Sequence, residues 1–197
     1  MEQASKTLIY IEPMVCISIA VMLLIVPATW VVSWLCAVLL HEFLHCLSLY
    51  LLGYHIYEIQ FCGAGASITS APMTTFHMIL CAAAGPFGSL IVLPFSKIVP
   101  KLALCVLIQS TFNLLPIYPL DGGRILQGFL SYMKNKKLAD LIATVITWFV
   151  ISIVSVVSVA LSFGLNLGIV PLLIPAFLLV KTQKIKIPCK RTLHRVQ

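Results

Sequence analysis

Charge is the scarcest thing in this chain. Of 197 residues, 10% are Asp, Glu, Lys or Arg, and six are acidic. Soluble domains carry about 25% charged residues. A soluble fold of this length could bury a core, but not all the apolar surface that 60% hydrophobic residues create. The shortage excludes a soluble globular protein and points to a polytopic membrane protein, in which lipid replaces water as the solvent. Paired-cysteine motifs are missing too. Cys16, Cys36, Cys46, Cys62, Cys81, Cys105 and Cys189 are odd in number, mostly lie in apolar runs and show no CxxC spacing. That excludes a secreted disulfide framework and leaves small buried hydrophobes in reduced form, Cys46 included. No small-residue cleavage pattern follows the first apolar run, which is therefore expected to stay as a membrane helix. Internal repeats and low-complexity stretches are absent as well.

What charge there is has a pattern. The net charge of +7 would suit nucleic acid, yet Lys181, Lys184, Lys186, Lys190, Arg191 and Arg195 crowd the C-terminus, and most of the other basic residues follow apolar runs. No nucleic-acid partner is expected. Six apolar segments, approximately 8–27, 30–52, 76–96, 101–118, 138–162 and 165–181, each come near the roughly 20 residues that a spanning helix needs. With both termini in the cytoplasm, Lys6, Arg124, Lys134, Lys136, Lys137 and the six C-terminal residues lie inside, and only Lys97 and Lys101 lie outside. That asymmetry sets the orientation. The expected fold class is thus an all-α polytopic membrane protein of about six transmembrane helices. Residues 1–181 form one transmembrane domain, and 182–197 form a basic cytoplasmic tail on the anionic leaflet.

Residues 54–71 are too polar to span. His55, Tyr57, Ile59 and Phe61 alternate with Ile56, Glu58 and Gln60, and Gly63–Gly65 supply a turn. The pattern reads as a short β-hairpin at the membrane surface, with an interfacial loop as the alternative.

Chemistry gathers at the end of the second apolar segment, in His41-Glu42-Phe43-Leu44-His45. On a helix, positions i and i+4 share a face, so both imidazoles reach one metal ion. Glu42 reaches a water polarised by that metal without being a ligand. Three ionisable residues at this depth each cost roughly 2.5–3.5 kcal/mol unless partnered, which argues against a chance match. A catalytic zinc needs a third protein ligand, and the stretch from Asn113 to Arg124 holds Asp121 beyond two helix-breaking prolines, Pro116 and Pro119. On the residues alone, Asp121 is either that ligand or the N-cap of a following helix.

The three blocks HEFLH, AAAGPFGS (Ala82–Ser89) and NLLPIYPLDGGR, in this order and at these separations, resemble the site-two protease family of intramembrane zinc metalloproteases. The likeness covers roughly residues 30–130 and is closest to the bacterial branch that processes sporulation factors. It implies one zinc ion per chain held by His41, His45 and Asp121, with Glu42 as catalytic base. It also implies that Asn113 positions substrate or steadies the developing oxyanion, with a structural role for its amide as the alternative. The implied activity is hydrolysis of membrane-associated protein substrates near the cytoplasmic face of a membrane, in keeping with a bacterial cell membrane. The nucleotide-sensing domain appended in that branch is not expected here. Gly85 and Pro86 read as a close-packing site. Ser89 stands where the family has Asn and receives no role. Arg124 either snorkels to headgroups or pairs with an acid, His55 and His77 read as interfacial residues, and Glu58 reads as a solvated hairpin residue, with contact to a substrate strand as the alternative. The rival readings are a zinc transporter or sensor, which would use the ligands without Glu42, and an adaptor with a degenerate site.

Overall fold

Pro13 decides where the first helix can begin. Proline lacks an amide hydrogen and suits only the first helical turn, so helix α1 runs Pro13–Ile25 and the residues before it take another form. Leu8–Ile11, a β-branched and aromatic run, is strand β1 instead. The first apolar segment, read from the sequence as one helix over 8–27, is therefore a strand followed by a 13-residue helix. The computed structural model describes residues 8–62, 65–164 and 172–183. They divide into two compact units, Met1–Leu114 and Leu115–Gln197.

In the first unit, α2 spans Ala28–Leu51. Gly53, at φ 75°, ends it, with Gly53 N–H donating to the Tyr50 carbonyl at 3.0 Å and Tyr54 N–H to that of Leu49 at 2.9 Å. This is the glycine-terminated cap that satisfies the last carbonyls of a helix. Strands β2 (Ile56–Cys62) and β3 (Gly65–Ser70) follow, antiparallel, with Ile59 opposite Ile68. The hairpin read from the alternation is present, and β1 joins it in parallel, Ile9 opposite Ile59, giving the order β1-β2-β3. Thr74 caps α3 (Thr75–Ser89), accepting from the His77 amide at 3.4 Å. A 3-10 stretch, Leu90–Phe95, extends α3. Helix α4 runs Pro100–Asn113.

Helix α2 packs on both α3 and α4, which also pack on each other. The buried residues there are mostly small: Ala37, Cys81, Ala82, Gly85 and Ala103, with Val31 and Val106. Small side chains let helix backbones approach where lipid gives no hydrophobic drive to association. At the other end of α2 and α4, Lys101 donates to Thr29 Oγ1 at 2.7 Å and its ammonium lies 5.6 Å from the Trp30 ring centre, a cation–π distance.

The second unit opens on the turn 115–120, where the Tyr118–Pro119 peptide is cis. A Cβ on Gly123 would run into the Ile117–Tyr118 peptide, so glycine is required there. Helix α5 (Asp121–Ser131) was not among the segments read from the sequence. It is amphipathic, too short and too polar to register as a span. It packs on α6 (Lys136–Gly164), which packs on α7 (Leu173–Gln183).

Three helical stretches among the described residues are long and apolar enough to cross a membrane: Ala28–Leu51, Thr75–Phe95 and Lys136–Phe163. Helix α1 is apolar but shorter, and the segments expected at 101–118 and 165–181 hold helices of 14 and 11 residues. Residues 184–197, most of the basic tail, lie outside the described residues. On α6 alone, Leu141, Val145, Trp148 and Phe149 are each more than half exposed. A face of that kind is a liability in water and the ordinary state of a helix in lipid.

Candidate metal centre

Helix α2 carries His41 and His45 one turn apart, and both are buried. Their rings stand edge to face, centroids 4.7 Å apart, with the two Nε2 atoms 3.1 Å apart. His45 Nδ1 lies 2.7 Å from the Cys81 carbonyl on α3. A carbonyl only accepts, so Nδ1 is the protonated nitrogen and Nε2 keeps its lone pair. Asn113, the last residue of α4, brings its amide Nδ2 to 3.2 Å from His41 Nε2, which makes that nitrogen an acceptor as well. Two lone pairs 3.1 Å apart repel unless a cation lies between them. Two nitrogens at tetrahedral positions around zinc would be about 3.3 Å apart. The pair therefore fits a zinc-type ion.

Glu42, next on the helix, is half-buried. Close approach of α3 is made possible by Gly85. A Cβ there would strike His45 Nε2, and would lie 2.9 Å from His41 Cε1. The imidazoles thus rest on bare backbone, and the Gly-Pro of the second block is a wall of the site as well as a packing feature.

In its own unit, Asp121 is the first residue of α5 and is buried. The N-cap position belongs to Leu120, in extended conformation and without a side-chain cap bond, so the capping role open to Asp121 in the sequence falls to another residue. A carboxylate in the first turn also complements the helix dipole. His41 and His45 of the first unit and Asp121 of the second are each buried and each of a metal-ligating type. His77 is engaged elsewhere, its Nδ1 2.8 Å from the Tyr54 hydroxyl, and the His55 ring meets Tyr57 at 5.4 Å. Glu58 lies on β2 opposite Thr69.

Sequence reasoning missed the Cys81 carbonyl, since every residue has one. The available signal was spacing: Cys81 precedes Gly85 by one helical turn and shares its face. Cys16, Cys36, Cys46, Cys81 and Cys105 are free thiols, but of these only Cys81 is buried as the apolar runs led one to expect; Cys16 and Cys36 are exposed on their helices.

Residues 66–161 match peptidase family M50. The matched segment holds the second and third blocks and begins downstream of His41–His45. The sequence matches none of the curated proteins. A solved structure, the site-2 protease from Methanocaldococcus jannaschii, is similar at a TM-score of 0.66 and 21% identity, over 100% of this chain and 98% of that one. At that identity the likeness speaks for the fold. Family match and fold agree with the three motif blocks: residues 66–161 are similar to peptidase family M50, and the chain shares the fold of a site-2 protease.

Proposed function

We propose that this chain is an intramembrane zinc endoprotease that cuts membrane-associated protein substrates, with residues 1–181 as the proteolytic domain. One observation carries the reading. Two buried imidazoles at helical spacing turn their lone pairs toward each other, 3.1 Å apart, with a half-buried acid, Glu42, one residue along the helix from His41. His41 and His45 would hold the metal through Nε2, and Asp121 would be the third ligand. Its burial beside two glycines at the start of α5 supports that role. When bound, zinc supplies Lewis acidity that brings the pKa of water toward neutrality and polarises a peptide carbonyl.

The chain's own residues do the rest. Glu42 takes the proton from the attacking water and returns it to the leaving amine. The Asn113 amide lies 3.2 Å from His41 Nε2; once that nitrogen gives its lone pair to the metal, the amide is free to donate to the oxygen that gains charge as the carbonyl is attacked. A substrate helix hides its carbonyls in its own hydrogen bonds, so it must unwind before it can react. Strand β3 is an edge of the sheet order β1-β2-β3, with no further strand beyond it among the described residues, and it offers backbone groups to an unwound segment. The charge asymmetry supports both termini on the cytoplasmic side, with the site near that face.

The test is cleavage of a co-expressed, tagged membrane substrate by wild type and by Glu42→Gln, with bound zinc quantified in both. Loss of cleavage by at least about a hundredfold with zinc retained is the expected result. Zinc in both with cleavage by neither would favour the transporter or sensor reading. A metal-free wild type would overturn the zinc assignment.

A further inference from the structure

Two buried serines outside the metal group meet between α3 and α4. Ser89, the last residue of α3, is 1% exposed, and Ser110 of α4 is 2% exposed. Their hydroxyl oxygens are 2.9 Å apart. Ser89 also donates to the Pro86 carbonyl at 3.1 Å. A hydroxyl has one proton. With that of Ser89 given to Pro86, the proton of Ser110 goes to Ser89, and the chain runs one way: Ser110 to Ser89 to the Pro86 carbonyl. No water competes for these groups at this depth, so each hydroxyl depends on the other for its partner.

Both ends of this chain border the metal group. Pro86 follows Gly85, whose backbone lies against His45 and His41. Ser110 lies one turn before Asn113, and its own carbonyl accepts the Leu114 amide at 3.0 Å, closing the last turn of α4. That turn delivers the Asn113 amide to His41 Nε2. An α4 free to rotate or slide on α3 would move Asn113 first, since nothing helical follows it in this unit.

We infer that the Ser110–Ser89–Pro86 hydrogen-bond chain is a positioning device that fixes the register of α4 on α3 and so holds Asn113 against the metal-binding histidines. Ser89 and Ser110 act through Asn113 and are positioning residues, not catalytic ones. The inference rests on the proteolytic reading of the site.

The experiment is a double-mutant cycle on purified, zinc-loaded protein: wild type, Ser110→Ala, Asn113→Ala and the double variant, with Ser89→Ala as a second probe of the same chain. kcat, KM and zinc content are measured with one membrane substrate. The expected result is that Ser110→Ala and Ser89→Ala each lower kcat about tenfold or more, as a misplaced positioning group does, with KM and zinc content unchanged. In the Asn113→Ala background the Ser110→Ala effect should shrink below about twofold, because the residue it acts through is gone. An equal loss in both backgrounds would overturn the inference in favour of general packing, as would a loss of zinc, or a kcat unchanged in both serine variants. Wild type that cuts nothing would instead be a failure of the proteolytic reading itself.

Discussion

Gly85 shows how tightly single residues are held around the histidines. It has no side chain, and the space a Cβ would need is filled by the His45 ring. Gly85→Ala would therefore push the imidazole off the Cys81 carbonyl that orients it at 2.7 Å. Disturbing the partner that orients a ligand lowers metal affinity by about 10- to 100-fold. Gly85→Ala is expected to weaken zinc binding by that much, measured by competition with a chelating dye, while an alanine at exposed Gly53 leaves it unchanged. Gly53 has open space around it, although its positive φ makes alanine strained for another reason. At this scale the sequence was most informative where chemistry needs a particular side chain. His41, Glu42 and His45 declare themselves by spacing and by the expense of placing them in lipid. The Cys81 carbonyl and the Ser89–Ser110 pair do not, because any residue supplies a carbonyl and serine is common in membrane helices.

Among the elements, the hairpin was legible and its partner was not. Alternation over 55–61 follows from side chains pointing to opposite faces, and β2 and β3 form where it placed them. Strand β1 pairs with β2 in parallel across some fifty residues of sequence, and a four-residue apolar run does not reveal such a partner. The edge strand β3 carries the substrate proposal. Ile68→Pro removes a backbone donor from it, and each hydrogen bond lost costs about 0.5–1.5 kcal/mol. Cleavage of a helical membrane substrate is expected to fall about tenfold with zinc content intact. Wild-type cleavage by Ile68→Pro, and by Ile59→Pro on the neighbouring strand, would rule out strand addition. Helix α5 was hidden for a different reason. Eleven residues with three glycines give little helical signal, and its helical form is set by tertiary context.

For the molecule as a whole, composition settled the solvent and charge asymmetry indicated the direction. Orientation is open to direct test by cysteine labelling in a cysteine-free background. A cysteine at Lys97 is expected to react with an impermeant maleimide on intact cells, and one at Lys134 only after the membrane is permeabilised. The reverse pattern would invert the topology and put the metal group near the opposite face. The count of spanning helices was less legible, because proline and strand residues trim apolar runs that hydropathy alone would extend. The apolar stretch 101–118 ends as a helix at Asn113, three residues before Pro116.

The contact between Lys101 and Thr29 at the far end of α2 and α4 gives those two helices a common zero. His41 follows Thr29 by twelve residues, and Asn113 follows Lys101 by twelve. At 1.5 Å per residue, each lies about 18 Å from the shared mark. The two helices act as matched rulers read from that contact, and the histidine and the asparagine meet because the readings agree. The height of the meeting point along the two helices is thus written into the chain as a residue count. One residue gained or lost on a single ruler would shift its reading by about 1.5 Å and turn its face by about 100°, whereas the same change on both would move the site without dismantling it.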